Sequence, residues 1–417
     1  MQMGKEGMPF SGDGVLSGVR VLELGQFIAG PRAGRMMADL GAEVIKVEPA
    51  PDGDLMRNYP PLKAAQSGVF MLENRGKQSV CVDLNRPEGV EIVRALAASA
   101  DVVIENFSPG VLARRGLDYD ELSRNNPGLI MCSVSGFGQT GPFANRPSND
   151  RLAVAMSGIM HLTGDPDGPP MPIGTSMADS TAGVHAFGAI CAALFARSRT
   201  GRGQYVDISL METLFHTLDL PLAIHLLSSG QIAPQRCGVH NLTTAPTGTF
   251  RARDGYVVIS AFLHQWEAFA NAIGKPELLT DPRFATAPER AKNRYALAEI
   301  IEEWLQSFPS REEPLAILAQ HRVISGPVLD VAQAANHPQM QARHAMQEVD
   351  HPGVGALALP VAPMRFSDER VAIRGRTPAL GEHNETILSQ LPNYTPQRIA
   401  DLTASGVLVS KIPAGWD

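Results

Sequence analysis

The sequence predicts an α/β protein with a larger domain on a parallel, doubly wound sheet and a smaller α+β domain. Up to about residue 210, strand-like runs alternate with amphipathic helical runs, which is the pattern of successive βαβ units. From about residue 231 the pattern changes to a β-hairpin followed by helices. With 417 residues, of which 44% are hydrophobic and 19% charged, the chain is long enough for two packed domains.

The first βαβ unit follows a glycine-rich segment, residues 1–14. Residues 19–24 read as a strand, and the helix after it has Pro31 in its first turn and Gly41 at its end. Residues 42–48 then read as a second strand. Parallel strands with a right-handed crossover are the rule for such a unit.

The alternation continues to the middle of the chain and then gives way to a hairpin and helices. Further strands are predicted at residues 78–84, 100–107, 128–137 and 204–210, and helices at 87–99 and 211–229. Between them, a long helix is predicted to open at Asp179 and to end before the turn of residues 200–203. Two β-rich runs around Arg-Asp-Gly predict a hairpin over residues 247–262. The clearest helical pattern of the smaller domain covers residues 282–308.

The composition argues against several classes of protein. The net charge of −7, without a basic block, disfavours a nucleic-acid interface. The four cysteines form no CxxC motif, and the recurring histidines 337, 344 and 351 are about two helical turns apart, too far to share an ion. The most apolar run, residues 182–196, is too short to span a bilayer. We therefore expect a cytoplasmic protein that binds neither metal, membrane nor nucleic acid.

Two common enzyme motifs are also missing. The glycines of the first β-α turn do not spell G-x-G-x-x-G, and Phe27 and Ile28 stand where a dinucleotide's phosphates need bare backbone. Ser135 lacks the preceding glycine of a nucleophile elbow. Neither a nicotinamide-dependent enzyme nor a serine hydrolase is indicated.

A single carboxylate, Asp179, opens the long helix of small apolar residues. Aspartate is a favoured N-cap residue, so a cap is the plain interpretation of the local pattern. The alternative is a nucleophile, because small neighbours would let a large ligand approach and helix N–H groups can stabilise an anion. Arg114 and Arg115 add a place where phosphates could dock, beyond the carboxyl end of a buried strand.

A series of segments in one order along the chain carries a more specific resemblance. They are LSGVRVLELGQFIAGP, MMADLGAEVIKVE, NRGKQSVCVDLNRPEG, ADVVIENFSPGVLARRGL, SGFGQTGP, ADSTAGVHAFGAICAALFARSRTGRGQYVDISLMET, DGYVVIS, DPRFATAPERAKNR and PALGEHNETIL. Together they resemble the family III CoA-transferases, the group that includes formyl-CoA:oxalate CoA-transferase and the carnitine CoA-transferases.

The resemblance implies a Rossmann-like large domain formed by residues 15–210 and 340–417, a small domain over residues 231–332, and subunits interlocked in a homodimer. It implies that Asp179 is the nucleophile and that coenzyme A is part of the substrate, with no permanently bound cofactor. The implied coenzyme A contacts are Phe27, Ile28, Ala29, Val82, Leu84, Asn85, Asn106, Phe107 and Arg114.

The implied reaction moves CoA from an acyl-CoA, such as succinyl-CoA, to a small carboxylic acid. Attack by Asp179 on the thioester would give a mixed anhydride, and the released thiolate would then form an aspartyl-CoA thioester. Because water would destroy both intermediates, the site must be closed during the reaction. Gly136, Gly138 and Gly141 could supply backbone N–H groups there, or a mobile cover.

Two alternatives remain beside the transferase. The α-methylacyl-CoA racemases of the same superfamily use a His-Asp pair where this chain has Asn149 and Asp150. Asparagine cannot serve as an acid or base, although the nearby His161 has no assigned place. A non-catalytic CoA-binding protein would keep Arg114 but would not need Asp179.

Two departures from the family pattern bear on the substrates. Pro49 and Ala50 follow Glu48 where some relatives have an arginine for the CoA phosphates, which leaves Arg57, Arg75 or Lys77 as candidates. The tetraglycine loop of the oxalate enzyme is absent between residues 231 and 255, so we expect a dicarboxylate other than oxalate, such as succinate, mesaconate, itaconate or citramalate. By charge alone, the candidates for its distal carboxylate are Arg146, Arg236 and His240.

Overall fold

The computed structural model describes residues 14–241, 243–369, 371–413 and 416. Its strands are β1 (Arg20–Glu23), β2 (Glu43–Pro49), β3 (Leu62–Lys63), β4 (Gln66–Ser67), β5 (Gln78–Val82), β6 (Val102–Glu105), β7 (Ile130–Ser135), β8 (Tyr205–Ser209), β9 (Thr247–Ala252), β10 (Gly255–Ser260), β11 (Ile324–Pro327), β12 (Met346–His351) and β13 (Gly355–Pro360). Its α-helices are α1 (Ala29–Asp39), α2 (Gly68–Asn74), α3 (Pro87–Ala98), α4 (Tyr119–Asn125), α5 (Asp150–Met156), α6 (Ile159–Leu162), α7 (Met177–Thr200), α8 (Leu210–Phe215), α9 (Leu220–Leu227), α10 (Trp266–Ala272), α11 (Ala287–Lys292), α12 (Arg294–Gln306), α13 (Glu312–Gln320), α14 (Val331–Ala335), α15 (Pro338–Ala342), α16 (Asn384–Leu388) and α17 (Pro396–Ala404).

The central sheet has the strand order β5-β2-β1-β6-β7-β8. All of its pairings are parallel, so the predicted α/β class with a parallel sheet is confirmed. The chain builds outward from β1 through β2 to β5, returns to β6 beside β1, and then continues through β7 to β8. The strand order therefore reverses between β1 and β6, and open α/β sheets bind ligands at such a switch point.

The two faces of this sheet are covered by different parts of the chain. On one face, Leu22, Val80 and Val103 share a buried cluster with Ile92 of α3 and Leu408 near the C-terminus. On the other, the small side chains of α7 allow close packing against α1. A Cβ on Gly183 would lie 2.8 Å from the Ala29 carbonyl oxygen. The space beside Gly183 is thus filled by α1. The expectation that this small residue leaves room for a ligand is therefore wrong.

Helix α7 is longer than the apolar run recognised in the sequence. It spans 24 residues, and by length and composition alone it could cross a membrane. Buried core helices of soluble proteins pass the same test, and here 33% of its most apolar window is buried. This is the one described helix that passes it.

The chain divides into two compact units. The larger comprises the residues up to Ser157, Gly174–Thr217 and the chain from Pro338 onward, and the smaller comprises Gly158–Ile173 and Leu218–His337. The predicted small domain, residues 231–332, lies inside the smaller unit, which also takes in residues 158–173. In that segment the His161 carbonyl accepts a 3.0 Å hydrogen bond from Arg236, 75 positions away. Contacts at such a separation leave no local sequence pattern.

The smaller unit contains an antiparallel sheet, β11-β10-β9, whose β9–β10 pair is the predicted hairpin. Its core includes Phe250, Phe269, Phe284 and Ile301. The helix predicted over residues 282–308 is in fact α11 followed by α12, which join at Asn293.

The continuous helix predicted over residues 211–229 is wrong. The chain forms α8 and α9 instead, with a break between them. Asp219 is the N-cap of α9, and its side chain accepts the Leu220 N–H at 2.5 Å. Pro221 stands in the first turn of α9, where its missing N–H costs nothing, whereas mid-helix it would remove a hydrogen bond.

Candidate active site

A cavity of about 840 Å³ lies at the carboxyl ends of β1, β6 and β7, at the switch point of the large sheet. It brings together predicted site residues from distant parts of the chain, with Phe27, Ile28 and Ala29 after β1, Asn106 after β6, and Asp179 on α7. Its further lining residues are Arg32, Met56, Tyr59, Val69, Leu72, Glu73, Val134, Ser135, Gly136, Ser148, Asn149, Asp150, Arg151, Thr175, Ser176, Ser180 and Leu210.

Asn106 joins the ends of the two strands that flank the switch point. Its Oδ1 accepts the Gln26 N–H at 2.8 Å, and its Nδ2 donates to the Gln26 carbonyl at 2.8 Å. Phe27, which follows Gln26 in the chain, has a φ of 62°, an uncommon backbone conformation for a non-glycine residue. Its side chain is 42% exposed. The Phe27 N–H donates to Asp54 at 3.2 Å, which helps to hold this conformation.

A buried charge cluster supports this β-α turn from below. Lys46 donates to the Gly25 carbonyl at 2.6 Å and pairs with Glu23 at 3.1 Å and Asp54 at 2.9 Å. Lys77 pairs with Glu23 at 2.7 Å. Burial alone would lower the pKa of Lys46, but the carboxylates of Asp54, Glu23 and Glu48 outweigh it and raise that pKa. Burial lowers the pKa of Lys77 to about 8. The cluster fixes the turn because both ammonium groups also reach backbone carbonyls, Lys77 that of Pro31.

Asp179 does not cap α7. The helix begins at Met177, the N-cap position is Ser176, and no side chain caps it. Asp179 is the third residue of the helix, in its first turn, where its own backbone N–H donates to Asp150 Oδ1 at 3.1 Å. Within the described residues its carboxylate makes no ion pair and no hydrogen bond. The interpretation of Asp179 as a cap is therefore wrong, and its carboxylate is available in the cavity.

The surroundings make the Asp179 carboxylate unusually basic. Burial raises its pKa to about 7, and the Asp150 carboxylate of α5 and Glu73 of α2 act in the same direction. Arg32 of α1 opposes them. Arg32 is itself held by Glu73, through ion-pair contacts of 2.5 and 3.4 Å. A basic, partly desolvated carboxylate is better suited to nucleophilic attack than one in water.

Three further predicted coenzyme A contacts lie around a second, smaller cavity. Leu84, Asn85 and Phe107 line about 110 Å³ together with Arg115. Arg115 donates to the Leu84 carbonyl and to Asn85 Oδ1, each at 3.2 Å. The family resemblance implied Arg114, which is exposed and lines neither cavity, whereas its neighbour Arg115 lines the smaller cavity. A choice between adjacent arginines depends on the turn between β6 and α4, which the motif does not reveal.

Several residues predicted to contact coenzyme A have buried side chains. Val82 is fully buried in the core of the large sheet and lines neither cavity. Arg75 and Lys77, two of the three candidates for the CoA phosphates, are 0% and 3% exposed. Arg75 is committed to Asp39 at 2.8 Å, and Lys77 belongs to the charge cluster. Their assignment as phosphate contacts is therefore wrong. Arg57 is more accessible but pairs through two nitrogens with Glu48, at 2.6 and 2.7 Å.

The candidates for a distal carboxylate do not lie on the Asp179 cavity of the larger unit. Arg146 is exposed and stacks over Phe143. Arg236 and His240 belong to the smaller unit, and burial lowers the pKa of His240. Asn149 has a structural role, since its Oδ1 caps α5 by accepting the Leu152 N–H at 3.0 Å.

Of the three glycines proposed to cover the site, one lines the cavity. A Cβ on Gly136 would overlap the Ser148 side chain, so this glycine permits a close approach of two segments. Gly138 and Gly141 have φ values of 83° and 89°, which favour glycine.

A carboxylate with a raised pKa in a ligand-sized cavity at the switch point is an arrangement typical of the active sites of α/β enzymes. Sequence comparison specifies the class further. Residues 16–384 match the family described as CoA-transferase family III, and the chain belongs to this family.

Named relatives agree with this assignment. The chain is 36% identical to succinyl-CoA:glutarate CoA-transferase of Mus musculus over 94% of this chain and 90% of that protein. It is 39% identical to acetyl-CoA:oxalate CoA-transferase of Acetobacter aceti over 87% of this chain and 92% of that protein. Among solved structures, a CaiB/BaiF family protein from Brucella suis aligns with a TM-score of 0.81 and 39% identity, covering 90% of this chain and 99% of that one.

Proposed function

We propose that this CoA-transferase exchanges CoA between an acyl-CoA donor, with succinyl-CoA the first choice, and a small dicarboxylic acid, through covalent intermediates on Asp179. The observation that supports it best is the unpaired Asp179 carboxylate in a cavity of about 840 Å³. One of the relatives above is named for a succinyl-CoA donor and a dicarboxylate acceptor.

The proposed exchange has four balanced steps. A carboxylate oxygen of Asp179 attacks the thioester carbonyl, the C–S bond breaks, and CoA thiolate leaves a mixed anhydride. The thiolate attacks the aspartyl carbonyl and releases the donor acid as a carboxylate, which gives an aspartyl-CoA thioester. The acceptor carboxylate attacks this thioester and releases the thiolate again. The thiolate then attacks the acceptor's carbonyl, forming the new acyl-CoA and restoring the Asp179 carboxylate.

The surrounding residues act on this sequence by position and charge. Asn106 and the buried cluster hold the turn of Phe27 to Ala29, which would contact the pantetheine arm. Asp150 holds the Asp179 backbone and adds negative charge beside it. Leu84, Asn85, Phe107 and Arg115, on the smaller cavity, are the proposed site for the adenine nucleotide.

Trapping the intermediates tests the mechanism. Incubation with succinyl-CoA and hydroxylamine should place a hydroxamate on Asp179, which mass spectrometry detects on the peptide that contains it. Acceptor acids are then screened, with oxalate included because one relative is named for it. If a panel of acyl-CoAs leaves Asp179 unmodified while a 2-methylacyl-CoA exchanges its α-proton in deuterated water, the racemase replaces the transferase. Binding of CoA with neither reaction would indicate the non-catalytic alternative.

The rate should depend on pH through the nucleophile. Because only the ionised Asp179 attacks, kcat/KM is expected to rise with pH and level off above its pKa of about 7. Asp150→Asn should move the inflection to lower pH, because it removes a neighbouring negative charge while its amide oxygen can still accept the Asp179 N–H. Initial rates across the neutral range measure both profiles. A wild-type profile without an inflection near neutrality would contradict the assignment.

We propose further that two chains form the interlocked homodimer of the family. The support is the exposure of large apolar side chains on and beside α7, namely Val184, Phe195 and Phe215. Light scattering should give the mass of two chains. The mass of one chain at micromolar concentration would rule the dimer out.

A further inference from the structure

Two arginines line the Asp179 cavity, and they differ in what they contact. Arg32 is paired with Glu73 through two nitrogens. Arg151 is exposed, and within the part of the chain that the structure describes it has neither an ion pair nor a side-chain hydrogen bond. Arg151 is therefore the cation of this cavity whose charge is not already matched by a protein carboxylate.

Arg151 is also close in the chain to the nucleophile's support. It follows Asp150 in the first turn of α5, and Asp150 accepts the backbone N–H of Asp179 at 3.1 Å. The cavity holds three carboxylates, Asp179, Asp150 and Glu73, against two guanidinium groups. An anionic substrate that enters this cavity needs a positive partner, and Arg32 is already engaged.

We propose that Arg151 binds the distal carboxylate of a dicarboxylic acyl group and so selects dicarboxylates over monocarboxylates. This inference rests on the proposed exchange on Asp179 and names the class of acid it takes. A guanidinium binds a carboxylate through two parallel hydrogen bonds, which gives orientation as well as affinity. In an exchange of this kind the donor acid and the acceptor acid occupy the same place in turn. One arginine thus serves succinyl-CoA as donor and the dicarboxylate as acceptor.

Kinetics with matched donors test the proposal. Succinyl-CoA and butyryl-CoA have acyl groups of equal carbon number and differ in the terminal carboxylate. In Arg151→Gln, kcat/KM for succinyl-CoA should fall about 10- to 100-fold, the range for a lost charged hydrogen-bond pair, while kcat/KM for butyryl-CoA stays within about threefold. Arg151→Lys keeps the positive charge but loses the paired N–H donors of the guanidinium. Its kcat/KM for succinyl-CoA should therefore lie between those of wild type and Arg151→Gln. An unchanged preference for succinyl-CoA in Arg151→Gln would overturn the proposal.

Arg146→Gln is the matched control, since Arg146 is an exposed arginine five positions earlier that does not line the cavity. It should leave the preference between the two donors unchanged. An equal loss in both variants would point to general surface charge and would also overturn the proposal.

A binding measurement separates this inference from the mechanism. Calorimetric titration of succinate into the CoA-saturated protein needs no turnover. Wild type should bind succinate at least about tenfold more tightly than Arg151→Gln does, and butyrate should bind both equally weakly. If Asp179 forms no hydroxamate but succinate binding depends on Arg151, the exchange mechanism fails and the assignment of Arg151 stands. If Asp179 is modified and succinate binds wild type and Arg151→Gln equally well, the exchange mechanism stands and the assignment of Arg151 fails.

Discussion

Replacing Asp179 with asparagine is expected to lower kcat for CoA transfer by about 10³-fold or more, the scale on which enzymes lose activity when a covalent nucleophile is removed. An amide cannot form the anhydride, while the cavity that receives CoA keeps its shape. The affinity for free CoA should therefore stay within about threefold. Steady-state rates with succinyl-CoA and titration with CoA measure the two quantities.

Asp120→Asn is the control for this substitution. Asp120 also lies in the first turn of a helix, α4, but it is exposed and outside the Asp179 cavity. It should leave kcat unchanged. Asp179→Asn with more than about a tenth of wild-type kcat would contradict a covalent role, because the residual rate would then need no nucleophile.

The same substitution should stabilise the protein at alkaline pH. The pKa of Asp179 is raised from 3.8 to about 7, so folding favours the protonated form. The stability that this group contributes is present below about pH 4 and is lost as the pH rises through about 7. At pH 8, Asp179→Asn should raise the free energy of unfolding by roughly 3 kcal/mol, with little difference near pH 4. Urea unfolding at the two pH values measures it. Equal stability at both would mean that burial does not perturb this carboxylate.

Much of the large unit could be predicted from the sequence because its signals are local. The βαβ alternation locates β1, α1, β2, β5, α3, β6 and β7 within two residues of their observed bounds. The strand order could not be predicted in this way, since it depends on which strand β6 joins. The break between α8 and α9 was missed although Asp219 and Pro221 are visible signals, because apolar periodicity was given more weight than helix-start chemistry.

The candidate site likewise contains residues that the sequence indicates and residues that only the tertiary fold brings to the cavity. The family resemblance named Asp179, Phe27 and Asn106, and all three line the cavity. The cavity roles of Asp150, Glu73 and Arg151 become visible only when α2, α5 and α7 lie together around it. Charge alone misled the choice of Arg75 and Lys77. Their partners, Asp39 and Glu23, precede them by 36 and 54 positions, and no local pattern shows such a pairing.

Glu23→Gln is expected to lower the free energy of unfolding by about 3–5 kcal/mol, because it leaves the buried ammonium group of Lys77 without a carboxylate partner. Lys46 and Lys77 contact the Glu23 carboxylate at 3.1 and 2.7 Å, and neither can reach water where it lies. Lys46 keeps Asp54, so Lys77 is the residue left with neutral partners only, the Pro31 carbonyl and Asn74. Chemical unfolding of purified variants near pH 7 measures the loss.

Glu43→Gln is the control for the exposed case, since Glu43 pairs with Arg20 at 2.7 Å and its side chain is 37% exposed. A surface pair of this kind contributes less than about 1 kcal/mol.

Adding Lys77→Met to Glu23→Gln should restore part of the lost stability, because it removes the charge that lost its partner. If Glu23→Gln costs no more than Glu43→Gln, the cluster does not hold the turn. The turn carries Phe27, Ile28 and Ala29 into the cavity, so the stable double variant should bind CoA more weakly if this support is lost.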